Sequence, residues 1–117
     1  MKNENNIRLE RNEGKEVLVS FRNHGNLSLL RHGYIRFTLK EQIRNRGTRL
    51  IMDLTGIKFI DSDSLDTLNL LSRLGRKYDS SIWLKGVEPE VIELLELVKK
   101  YSVFDIQHIE PVNEQVA

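Results

Sequence analysis

The run Leu50-Ile51-Met52-Asp53-Leu54 is apolar at nearly every consecutive position, so a strand built from it needs cover on both faces. That pattern belongs to the centre of a sheet, covered on both sides or at its rim by other elements. The run then passes through Thr55-Gly56-Ile57-Lys58-Phe59-Ile60 into Asp61-Ser62-Asp63-Ser64-Leu65. Gly56 reads as a turn residue. Asp61 has the residue type and position of a helix N-cap, its carboxylate accepting from a backbone N–H near Asp63 or Ser64. A buried strand that turns directly into a helix start restricts the chain to architectures in which strands and helices alternate.

The rest of the sequence follows the same alternation. Val17, Val19 and Phe21 alternate with Leu18, Ser20 and Arg22, a strand with one strongly buried face, and Ile7 and Leu9 supply an antiparallel partner before it. Ile35, Leu39 and Ile43 recur every four residues and predict a first helix over about Leu29 to Arg46. Arg44-Asn45-Arg46-Gly47 then reads as cations near a helix C-terminus followed by a capping glycine. A second helix starts at Asp61 or Ser62 and carries Leu65, Leu68, Leu71 and Gly75 on one side; Ser80 to Lys85 returns as a strand. Pro89 suits a first helical turn, and Val91, Leu94, Leu95 and Val98 give a third helix its stripe. Phe104 to Ile109 closes as a short strand. Parallel crossovers after an N-terminal hairpin therefore predict an α/β sandwich, a mixed and mostly parallel central sheet with three to four helices, in a single domain over residues 1–117.

Several function classes drop out. Cysteine is absent, which removes thiol catalysis, zinc–thiolate sites and disulfides. His24, His32 and His108 lack metal-ligand spacing, so no metal or cofactor is expected. Charged residues make up 30% of the chain, yet 18 basic and 17 acidic side chains are interspersed, which is no footprint for nucleic acid. A polar start and the lack of any long apolar run predict a cytoplasmic protein with no direct membrane insertion. Neither a glycine-rich phosphate loop nor a nucleophile elbow is present, and an enzyme is not expected.

What remains is the strand-to-helix corner. The first N–H groups of a helix have no partner inside it, and the helix dipole makes that end electropositive, so it accepts an anion. Ser62, at the first helical position, projects a hydroxyl from this corner and is a candidate phosphoacceptor; Ser64 is a weaker candidate, better read as a second capping hydroxyl.

The segment resembles the STAS domain of bacterial anti-sigma factor antagonists: an apolar strand, Asp-Leu, a short turn, an apolar pair and Asp-Ser-Ser-Gly-Leu, here Asp61-Ser62-Asp63-Ser64-Leu65. Gly25-Asn26-Leu27-Ser28 is similar to the family's Gly-x-Leu-Asp, and Gly86-Val87-Glu88-Pro89-Glu90-Val91 to its Pro-x-Val helix start. The resemblance implies that Ser62 is phosphorylated by an anti-sigma factor that is itself a serine kinase. The unmodified chain would sequester that partner and the phosphorylated chain release it. It places Asn26, Ser28, Asp61, Ser62, Asp63 and Ser64 at the partner-facing end. Asp63 stands where the family has its second serine and Ser64 where it has glycine, so the corner already carries extra negative charge. The alternative is a non-catalytic scaffold or accessory STAS subunit, stressosome-like or on a lipid-transport ATPase, with no phospho-switch.

Two side stripes complete the expectations. Leu30, Tyr34 and Phe37 on the first helix, and Leu70, Leu74 and Tyr78 on the second, lie away from the core stripes. Either they bury one another, or they form a surface for a partner or for a homodimer, with Leu70 and Leu74 at the contact.

Overall fold

A computed structural model describes residues 7–21, 26–27, 33–101, 106 and 108–112. Their elements run β1 (Ile7–Arg11), β2 (Glu16–Phe21), β3 (Asn26–Leu27), α1 (Gly33–Arg44), β4 (Arg49–Asp53), β5 (Phe59–Ile60), α2 (Ser62–Lys77), β6 (Ser81–Val87), α3 (Pro89–Tyr101) and β7 (His108–Pro111). Five strands form one sheet in the order β1-β2-β4-β6-β7, with β1–β2 antiparallel and the other pairings parallel. β3 and β5 make a separate two-stranded parallel ribbon that the hydrophobic pattern did not announce.

Each step from β2 to β4, β6 and β7 moves one place in the same direction across the sheet, and each passes through a helix. Right-handed crossovers that all step the same way put every helix on one face. The core agrees: Val17, Val19, Leu50, Met52, Ile82 and Leu84 from alternate strand positions form a single cluster with buried residues of α1, α2 and α3. Ile35, Leu39 and Ile43 of α1 and Leu68, Leu71 and Gly75 of α2 are buried, as their spacing predicts, whereas Leu65 is half-buried.

β4 is the middle strand of the sheet, as expected, and of the two kinds of cover expected for it, on both sides or at its rim, helices on both sides are not found. Among the described residues no helix lies over the second face, where Leu18, Ile51 and Trp83 are half-buried and stand outside the core cluster. Other boundaries shift as well. α1 spans Gly33–Arg44, residues 29–32 of the predicted helix lying outside the described residues. β6 runs two residues further than expected, through an irregularity between Leu84 and Val87 at which Gly86 takes φ +67°. β7 spans His108–Pro111, residues 104, 105 and 107 of the expected strand lying outside the described residues. In α3, Val91 and Leu95 are buried, while Leu94 and Val98 are half-buried.

Candidate functional site

Three local devices fix the strand-to-helix corner. Asp61 has extended backbone, φ −76° and ψ 166°, and its side chain accepts from the Ser64 N–H at 2.8 Å, which makes it the N-cap of α2. The Asp61 N–H in turn donates to the Leu27 carbonyl at 3.2 Å, tying the corner to β3. The preceding turn is held from the other side. Leu54 N–H donates to Lys85 O at 2.8 Å, Gly56 N–H to Glu88 Oε2 at 2.7 Å, and Lys58 Nζ lies 3.5 Å from Glu88 Oε1 and 3.7 Å from Glu90 Oε2. Gly56 has φ +86°, a conformation that suits glycine. Thr55 donates to Asp53 Oδ1 from both its N–H (3.1 Å) and its hydroxyl (2.7 Å), closing the turn after β4.

On this frame Ser62 is exposed as the first residue of α2, with Asp63 and Asp66 exposed beside it. Ser64 is a correction. It is 0% exposed, and its buried hydroxyl has no hydrogen-bond partner among the described residues, so it is neither a surface acceptor, nor a partner contact, nor a second cap there. The reciprocal bond of a capping box would need the Asp61 N–H, and Leu27 already takes that donor. The burial had a sequence signal, because Ser64 lies one turn ahead of Leu68 in the stripe that continues to Leu71 and Gly75.

The other expected partner residues scatter. Asn26 pairs through its backbone with Phe59, while its side chain and all of Ser28 lie outside the described residues. Leu70 is partly exposed, but Leu74 packs against the core. The two side stripes therefore do not bury each other: Tyr34 is 76% and Phe37 59% exposed, with Leu30 outside the described residues. Phe59, at 53% exposed, is an apolar side chain at the corner with no periodic signal in the sequence to mark it; in a two-residue strand it alternates outward while Ile60 points into the core. Among the described residues, no group of three or more His, Cys, Asp or Glu could hold a metal, and no helix is long and apolar enough to cross a membrane. His24 and His32 lie outside the described residues, and His108 stacks on Trp83.

The corner thus combines a helix N-terminus, an exposed hydroxyl at Ser62, the exposed Phe59 and the exposed carboxylates of Asp63 and Asp66, and the chain that carries it matches a known family. The family model of the STAS domain matches residues 6–115. Among solved structures, an anti-sigma-factor antagonist (STAS) domain protein from Planctomyces limnophilus superposes with TM-score 0.67 at 19% identity, over 88% of this chain and 89% of that one. The anti-sigma factor antagonist SpoIIAA in its unphosphorylated form gives TM-score 0.59 at 10% identity, over 94% of this chain and 89% of that one. Murine Slc26a9, an anion transporter, gives 0.56 at 17% identity, over 85% of this chain but 16% of the transporter. At these identities the likeness is one of fold. No curated protein sequence matches the chain.

Proposed function

Because this chain belongs to the STAS domain family, we propose that it is an anti-sigma factor antagonist, a non-catalytic cytoplasmic binding protein switched off by phosphorylation of Ser62. Its partner is an anti-sigma factor with serine kinase activity. The observation that carries the reading is the placement of Ser62: exposed, at the first position of α2, on a backbone braced by the Asp61 cap and the Leu27 bond. A kinase can grip such a rigid, projecting hydroxyl.

A phosphate there adds about −1.5 to −2 charge next to Asp61 and Asp63. The helix end stabilises it and the two carboxylates oppose it, so the fold survives. A partner packed against the corner loses affinity through repulsion and through desolvation of the phosphate. Asp63 partly mimics that charge, and replacing it with the family's serine strengthens partner binding. The test is phosphotransfer from an anti-sigma factor kinase and ATP to wild type and to Ser62→Ala. Transfer to both, or to neither, removes the reading.

The second reading is a scaffold or accessory subunit without a switch. The departures at Asp63 and Ser64 favour it, as does the occurrence of this fold as one part of an anion transporter. Assembly that is indifferent to Ser62 substitution supports it.

A further inference from the structure

The sheet face turned away from the helices has a composition of its own. The registers align Glu10, Leu18, Ile51, Trp83 and His108 in one row across all five strands. Its middle is an apolar strip, Leu18-Ile51-Trp83, extended by His108, whose ring stacks on Trp83 with centroids 3.9 Å apart and planes 5° from parallel. Parallel sheets rarely leave a face bare, because their strands carry apolar residues on both sides. Among the described residues this sheet has apolar residues on both sides and helices on one.

The charges flanking the strip say what fits it. On the central strand β4, Asp53 lies two residues beyond Ile51 toward one edge and Arg49 two residues toward the other, so both share its face. Arg49 covers Trp83 at 4.9 Å and pairs with Glu16 at 3.2 Å. A two-fold axis laid along the strip, across the strands and through Ile51, superposes the strip on itself and exchanges the two edges. Asp53 of one copy then faces Arg49 of the other, and Glu16 approaches the neighbourhood of Arg8. An axis along the strands would instead oppose Asp53 to Asp53 and Arg49 to Arg49.

We propose that this uncovered face is a homodimer interface, two copies packing sheet to sheet with the Leu18-Ile51-Trp83 strips in contact and Asp53 meeting Arg49 across the two-fold. The face is small. Five strands about 4.8 Å apart and about five residues long at about 3.3 Å each give roughly 20 by 17 Å, well under the roughly 800 Å² per partner of a standard interface. The dimer is therefore weak, and its association is to be sought at concentrations on the order of 100 µM. The interface uses neither Ser62 nor the other residues of α2, and Asp53, which also accepts from Thr55 in the turn before the corner, is the one residue it shares with that frame; it does not depend on the phosphorylation reading.

Sedimentation velocity on the full chain, across roughly a hundred-fold range of concentration around that value, tests it, and Trp83, the only tryptophan, reports the same contact by its emission. Wild type shifts from monomer to dimer with a blue shift of Trp83. Ile51→Glu and Leu18→Lys, each checked for folding by circular dichroism, stay monomeric. Arg49→Asp weakens association at least tenfold, and the double exchange Arg49→Asp with Asp53→Arg restores it. A chain that is monomeric throughout overturns the proposal. So does a dimer that survives both Ile51→Glu and Leu18→Lys, or one that Phe37→Ser on the helix side dissolves.

Discussion

Replacing Ser64 with alanine is expected to stabilise the protein, which is an unusual direction for a fully buried position. The hydroxyl is out of water and without a hydrogen bond. An orphaned buried polar group of this kind costs about 1–3 kcal/mol, all of which alanine recovers. Alanine adds up to about 0.5 kcal/mol of helix propensity. Against this, one missing oxygen leaves a void of about 10–15 Å³, worth about 0.3 kcal/mol at 24 cal/mol per Å³. The net gain is about 1–3 kcal/mol. For 117 residues at about 2.1 cal/mol/K each, unfolding entropy is about 0.25 kcal/mol/K, so each kcal/mol moves Tm by about 4 °C. Thermal melts should therefore rise by roughly 4–12 °C, with a higher urea midpoint and an unchanged m-value. Ser64→Gly should gain less, because glycine loses helix propensity. A fall in Tm for Ser64→Ala would mean that the hydroxyl is bonded in solution and would refute the reasoning from an unpartnered hydroxyl.

Three further substitutions probe the frame around the corner. Asp61→Ala removes the cap on the Ser64 N–H and should lower stability by about 1 kcal/mol, while Asp61→Asn keeps most of it; equal denaturation midpoints for the two variants would contradict this. Gly75→Ala would set a Cβ 2.7 Å from the Ser80 carbonyl oxygen, a backbone atom that cannot move aside, and should cost about 1–3 kcal/mol by urea unfolding. Gly86→Ala is worse placed, since its φ is +67° and the new Cβ would meet the Thr55 hydroxyl; it should loosen the 54–58 turn, read as faster amide exchange at Thr55 and Gly56.

Periodicity read the core well where elements were long. The four-residue spacing of Ile35, Leu39 and Ile43 and the stripe Leu68, Leu71, Gly75 correspond to buried faces, because a helix of three or four turns repeats its signal. The N-cap at Asp61 was also legible, since an acceptor side chain before an apolar helical run has few other uses there. The two-residue strands β3 and β5 were not, because a period of two cannot be recognised in a pair of residues. The same brevity hid the outward Phe59. Ser64 was misread through its residue type, which suggests a cap, when its phase with Leu68 assigns it to the core. The apolar character of both faces of β4 was visible, but which face the helices take follows from the sense of three successive crossovers, a property of topology that no local window contains.

The proposed switch at Ser62 is tested most directly by phosphosite mapping after incubation with an anti-sigma factor kinase and ATP. The expected result is a single phosphate on Ser62, none on Ser64, none in Ser62→Ala, and loss of kinase binding by the modified chain with its melting temperature unchanged. Modification at another residue, or a phosphorylated chain that binds as tightly as the unmodified one, would contradict it.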